Sequence, residues 1–308
     1  MTDDDTPLIA VLGTGGTIAS RKDAHGAASP ALGGEELLAL LPPLRVRLRP
    51  QEVLAKDSSA LTLADMQHIS ASVAAQLSDT DVAGVVVLHG TDAMEETSLL
   101  VQLQHQPQKP VIFTGAQFAA DHPRSDGIVN LADAVRMAMT GKDGVRLAFA
   151  GRELPCWGLY KRTTDLADAF ALAGPVPAPA LPRLPADVGA TRVDIVAIHP
   201  GCDAAHLDAS LDRGADGVVI AALGSGNASP EIVAAIQRAS ARGVPVVISS
   251  RVPEGEMAPI YGGGGGGHDM AAAGAIHARW LRPGQARILL AVLLANGCDR
   301  DRIRTAFG

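Results

Sequence analysis

A chain of 308 residues with 47% hydrophobic side chains can bury one large core or two ordinary ones. Its net charge of -7 excludes the basic surface expected of a nucleic-acid binder. The longest apolar run, residues 288–295, is far too short for a membrane span. The acidic N-terminus has no secretory pattern, and three cysteines without paired spacing suit a reducing compartment, so a cytoplasmic protein is expected.

Taken in chain order, the apolar run at 8–12 predicts a first strand, and 35–41 a helix stopped by Pro42-Pro43. The basic cluster Arg45-Val46-Arg47-Leu48-Arg49 alternates as one face of an exposed strand does. Thr62, with Asp65 three residues on, predicts a capped helix running to about residue 77. Runs 85–88 and 111–113 are wholly apolar, as buried parallel strands are, and each is followed by a helical stretch, 94–105 and 128–139. After a proline-rich segment the alternation resumes, with strands at 194–198, 217–221 and 246–248. The helices there are expected at 204–211, 230–242, 285–294 and 301–306. The expected fold is α/β in two domains. Residues 1–174 are expected to form a larger N-terminal α/β domain with a mostly parallel sheet and helices on both faces. Residues 175–192 are a proline-rich linker, and 193–308 a smaller flavodoxin- or Rossmann-like domain. Six consecutive glycines, 262–267, are expected to be a flexible loop rather than a packed element.

Two stretches could carry chemistry. Leu12-Gly13-Thr14-Gly15-Gly16-Thr17-Ile18-Ala19 places two hydroxyls on a glycine-rich turn after the first strand. His89-Gly90-Thr91-Asp92-Ala93-Met94-Glu95-Glu96-Thr97 likewise follows a buried strand and opens a helix. In open α/β sheets such turns line the crevice at the carboxyl ends of the strands. Glycine geometry alone, or Thr91-Asp92 capping their own helix, would explain each stretch separately. The first lacks the third glycine of a dinucleotide fingerprint and the lysine of a P-loop, while Gly224-Ser225-Gly226 has the wrong spacing for a serine-hydrolase elbow. The nine histidines show no ligand-like pairing, so no metal site is expected. A threonine nucleophile would need a base, which a lysine such as Lys161 supplies when burial and charge keep it partly neutral.

Together the two stretches resemble the signatures of the bacterial-type L-asparaginases and glutaminase-asparaginases, and the likeness extends over nearly the whole chain. Asp57-Ser58-Ser59 resembles the segment that binds the substrate carboxylate, in a form closer to the cytoplasmic subgroup. Thr114-Gly115-Ala116-Gln117 with Arg124-Ser125-Asp126-Gly127 resembles the next turn and helix start. Gly224-Ser225-Gly226-Asn227 and 249–255 resemble elements of the C-terminal domain. The resemblance implies that Thr17 attacks the side-chain amide of asparagine, releasing ammonia and leaving an acyl-enzyme, with Thr91, Asp92 and Lys161 in support. It implies that Ser58 and Asp92 hold the α-carboxylate and α-amino groups, with Asp57, Ser59, Gly90 and Ala116 also lining the substrate site. Asn227 would reach a neighbouring subunit's site in a homodimer or homotetramer, and no metal or organic cofactor is implied. Glutamine is the nearest alternative substrate, and an amino-acid-binding protein without turnover the nearest alternative function. Amidotransferase subunits with these motifs typically carry an added N-terminal domain, whereas the first strand here is expected by Leu8.

One departure stands out. The family usually carries a tyrosine in the loop after the first motif, where this chain has Arg21-Lys22-Asp23-Ala24-His25-Gly26-Ala27-Ala28-Ser29. Its two tyrosines are Tyr160 and Tyr261. His25 is the candidate substitute, and Glu254 and Glu256 are candidates for the acid that the family sometimes lends across subunits.

Overall fold

The computed structural model describes residues 6–16, 20–22, 28–30, 34–175 and 177–308. The chain divides into two compact units. One holds the described residues up to Cys156 together with Lys161–Ala171, and the other holds Trp157–Tyr160 and Leu172–Gly308.

In the first unit the strands are β1 (Leu8–Gly13), β2 (Ser20–Lys22), β3 (Ala28–Pro30), β4 (Arg47–Glu52), β5 (Val82–Leu88), β6 (Pro110–Thr114), β7 (Gly144–Phe149) and β8 (Arg152–Pro155). Its helices are α1 (Gly34–Ala39), α2 (Leu63–Ser78), α3 (Met94–His105) and α4 (Gly127–Thr140). The main sheet runs β4-β1-β5-β6-β7-β8, parallel until β8 returns antiparallel. Every residue of β1 and β6 is buried, as expected of strands covered on both faces. Only Arg47, Leu48 and Arg49 of the basic cluster lie in β4, at the sheet edge, and they are exposed or half-buried. Helix α2 starts on the expected capping box: the Thr62 hydroxyl accepts from Asp65 N–H and the Asp65 carboxylate accepts from Thr62 N–H. Leu63, Met66, Ile69 and Val73 form its buried stripe. Lys56 bonds the same carboxylate, and these contacts hold Asp65 down at about 2.

The chain leaves β1 for β4 on one side, then crosses by α2 to β5 on the other. The carboxyl ends of β1 and β5 therefore flank a point where strand order reverses, the place where a crevice opens in such sheets. Register brings the ends level, with Gly13 opposite Leu88 and Leu88 opposite Thr114.

Strands β9 (Leu159–Lys161) and β10 (Phe170–Leu172) pair as a separate two-stranded sheet. In the second unit a parallel sheet runs β11 (Val193–Ala197), β12 (Gly217–Ala222), β13 (Val246–Ser250), β14 (Ile276–His277). It is accompanied by α5 (Ala205–Asp212), α6 (Pro230–Ala241), α7 (Gly267–Ala272), α8 (Pro283–Ala295) and α9 (Arg300–Phe307). The proline-rich segment contributes to this unit's packing, for Leu184 and Val188 are buried and Ala186 N–H donates to the Asn296 side chain.

The glycine run departs from expectation. Gly267 opens α7, and the Asp269 carboxylate accepts from both Gly264 N–H, at 2.7 Å, and Gly266 N–H, at 3.0 Å. A Cβ on Gly266 would lie 1.9 Å from the Tyr261 carbonyl oxygen, whereas Gly262 has nothing nearer than 3.8 Å. The second half of the run is glycine because backbone passes against backbone, so it is a tight packed turn and not a flexible loop. Gly266→Ala is expected to destabilise the protein by about 1–3 kcal/mol, and Gly262→Ala by well under about 1 kcal/mol. Urea unfolding of the two variants measures the contrast.

Candidate active site

The turns after β1, β5 and β6 are built by close backbone approach. A Cβ on Gly16 would lie 2.7 Å from the Gly90 Cα, and one on Gly90 2.4 Å from the Ser58 hydroxyl. No larger residue fits at either place without moving the turns apart. Gly15 and Gly16 also take φ values of +90° and +95°, which glycine adopts without strain. Thr14 is buried; its backbone N–H and its hydroxyl both donate to the Leu88 carbonyl, at 3.1 and 2.9 Å. Its oxygen is thereby tied to the neighbouring strand end.

On the β5 turn, His89 is fully enclosed, and this desolvation lowers its pKa to about 4. The ring is therefore neutral near pH 7, and Nδ1 can donate to the Gly90 carbonyl 2.7 Å away. Ser58, buried in a short 3-10 turn (Ser58–Ala60), accepts from Asp92 N–H at 3.1 Å. That contact leaves the serine proton available to a ligand. Asp57 and Ser59 flank it and are exposed. Behind the β6 turn, the Asp126 carboxylate accepts from Gln117 N–H, Phe118 N–H and the Asn130 amide, which also donates to the Gly115 carbonyl. Ala116 is buried against the core with Ile9, Val11 and Leu131, so its methyl is a packing group and only its backbone is available to a ligand.

Lys161, at the end of β9, meets this turn. Its Nζ donates to Thr91 Oγ1 and to Asp92 Oδ1, both at 2.8 Å. Thr91 is buried, while the Asp92 side chain is 56% exposed, so one partner faces inward and the other opens to solvent. Lys161 backbone N–H donates to Glu95 Oε2 at 2.5 Å. Part of Glu95 reaches the surface, but its carboxyl group is enclosed. Desolvation pushes it up to about 8, with Glu96 adding to the rise and Lys161 opposing it. The structure thus brings Ser58, Gly90, Thr91, Asp92 and Lys161 to one strand-end crevice. Chemically, this offers a hydroxyl and an amine in proton-exchange contact beside an exposed carboxylate. It also adds Glu95, which in sequence looks like an ordinary first-turn acid of a helix.

Thr17 and His25 lie outside the described residues. Asn227 belongs to the second unit, where it closes the Leu223–Asn227 turn with its side-chain oxygen lacking a hydrogen-bond partner among the described residues. Glu254 accepts from the Tyr160 hydroxyl at 2.7 Å, and Glu256 pairs with Arg279 at 2.6 Å. Both acids already have partners within their own unit.

Residues 8–181 match the family model described as asparaginase, N-terminal, and residues 192–307 the one described as glutaminase/asparaginase C-terminal domain. The chain is 34% identical to a probable L-asparaginase of Deinococcus radiodurans, over 98% of this chain and 97% of that one. It is also 30% identical to a subunit of the glutamyl-tRNA(Gln) amidotransferase of Halobacterium salinarum, over 97% of this chain and 78% of that one. Among solved structures it resembles a probable cytoplasmic L-asparaginase from Campylobacter jejuni, with a TM-score of 0.88 and 27% identity over 98% and 99% of the two chains.

Proposed function

Because the chain belongs to the asparaginase family and is an amidohydrolase of the L-asparaginase type, we propose that it hydrolyses L-asparagine to L-aspartate and ammonia through a threonine acyl-enzyme. The observation that carries this reading is Lys161 Nζ at 2.8 Å from both Thr91 Oγ1 and Asp92 Oδ1, at the carboxyl end of β5. Thr17 follows Gly16 directly, and Gly16 packs on Gly90, one residue before Thr91.

In this mechanism the Thr17 oxygen bonds to the side-chain amide carbon and gives up its proton. The C–N bond breaks, nitrogen leaves as ammonia carrying that proton, and an ester remains on Thr17. Water then adds to the ester carbon, passing a proton to the Thr91–Lys161 pair; as the C–O bond to Thr17 breaks, the pair returns that proton to the Thr17 oxygen and aspartate is released. Lys161 serves as the proton store, while Asp92 orients its ammonium and stands open to the substrate's α-amino group. Ser58 has a free proton for the α-carboxylate. Asn227 is assigned to a neighbouring subunit's site in a homodimer or homotetramer, and the reaction is placed in the cytoplasm.

Ammonia release from free asparagine and free glutamine tests the reading, with asparagine expected to be the better substrate. One methylene separates the two by only about 1–3 kcal/mol, so some glutamine turnover is expected as well. Asparagine binding without ammonia release would instead identify a sensor. Ammonia release that appears only with charged transfer RNA would identify an amidotransferase partner.

A further inference from the structure

We propose that Glu95 is a positioning residue for Lys161: by accepting the Lys161 backbone N–H it fixes the point from which the lysine side chain reaches Thr91 and Asp92. The proposal rests on the asparaginase reading for its kinetic consequences, but not for its geometry.

Lys161 ends a strand of only three residues, so a short ladder holds its backbone. Its N–H is taken by a side chain 66 positions away in sequence. That side chain sits in the first turn of α3, three residues after Asp92 and four after Thr91, the two groups that Nζ contacts. The contacts therefore close a circuit, from Lys161 N–H to Glu95, along the chain to Asp92 and Thr91, and back through Nζ. A lysine has four rotatable side-chain bonds, and a floating backbone would spread Nζ over several ångströms. A misplacement of about 1 Å in an active site costs on the order of 10²-fold in rate. An acid that merely favoured the helix N-terminus would do so from solvent, whereas enclosing a carboxyl group is costly.

The enclosure adds a pH signature. Glu96 on the same helix and Lys161 on β9 face the Glu95 carboxyl group, and desolvation holds its proton up to about pH 8. Below that, Glu95 is neutral and accepts through its carbonyl oxygen. Above it, Glu95 becomes a second carboxylate beside Lys161, next to Asp92, and the charge around the Thr91–Lys161 contact changes. The folded chain keeps this proton to about 8 and an unfolded chain releases it near the ordinary 4.5, so Glu95 weakens the fold as pH rises between the two.

The test compares Glu95→Gln, Glu95→Ala and wild type by steady-state ammonia release from asparagine between pH 6 and 10. Glu95→Ala is expected to lower kcat by roughly 10–100-fold with KM changed by less than about threefold. Glu95→Gln, whose amide carbonyl accepts the same N–H, should stay within about threefold at pH 7 and lose any alkaline decline centred near pH 8. Wild-type kcat in Glu95→Ala, or equal impairment of both variants, would overturn the proposal. Should Glu95→Ala fail to fold, the pH profile of Glu95→Gln decides. Hydrogen exchange separates this inference from the functional reading. In wild type the Lys161 amide should be protected even if no ammonia is released, and Glu95→Ala or, failing that, Glu95→Leu should expose it. Rapid exchange in wild type would sink the proposal by itself.

Discussion

Lys161→Met is expected to lower kcat for asparagine hydrolysis by about 10²–10⁴-fold, the range that a positioned proton carrier supplies. Methionine keeps much of the apolar stem, one atom short of Nζ, but cannot donate to Thr91 Oγ1 or Asp92 Oδ1, both now 2.8 Å from Nζ. Thr91 is buried, so its hydroxyl would lose its lysine partner in a place with little access to water. Ser58 and Asp92, the groups proposed to face the substrate, keep their mutual hydrogen bond, so KM should change much less than kcat. Because the proposed mechanism uses the threonine and lysine as a unit, Thr91→Ala added to Lys161→Met should cost far less than the product of the single effects. Single-turnover ammonia release by the two single variants and the double variant checks both statements. A Lys161→Met enzyme within tenfold of wild type would remove the lysine from the mechanism.

Thr17→Ala should cost still more, on the order of 10⁴-fold or greater, because in the proposed mechanism it removes the bond-forming oxygen and not an accessory to it. No ester can then form. Intact-protein mass spectrometry after rapid acid quench should show an aspartyl adduct, with aspartyl replacing one hydrogen, in wild type and none in the variant. Thr14→Ala is the natural control. Thr14 Oγ1 is committed to the Leu88 carbonyl at 2.9 Å, so its loss should appear in stability, by about 1–3 kcal/mol, and not in the adduct. Rapid turnover by Thr17→Ala would overturn the nucleophile assignment.

Much of this arrangement is legible in the chain because its physics is local. Strands β1, β5 and β6 read as uninterrupted apolar runs, since parallel strands buried on both faces need no alternation. Thr62 and Asp65 announce α2 because a capping box is a contact between residues three apart. The convergence of two turns follows once both are placed after parallel neighbours. What stays hidden depends on distance or disguise. The β7–β8 hairpin turns at Ala150, with φ +51°, followed by Gly151, and a turn led by alanine carries no composition signal. Glu95 has the sequence context of an ordinary helix-start acid, and nothing in that context tells of its enclosure or of its bond to the Lys161 N–H, 66 positions on. The six glycines look like slack chain because composition does not tell that the second half of the run folds back on the Tyr261 and Ala228 carbonyls and is held by the Asp269 carboxylate.

The closed circuit through Glu95 has a consequence for thermal motion. Thr91, Asp92 and Glu95 lie within five consecutive residues, and Lys161 is tied to them at both its backbone and its tip. A displacement of this helix start against the sheet therefore carries all four together. Their separations are referenced to one another and not to the scaffold, so breathing of the sheet acts on them in common and largely cancels in the 2.8 Å contacts. Motion of the fold would then reach the proposed chemistry through the groups outside the circuit, Ser58 and the glycine turn that precedes Thr17.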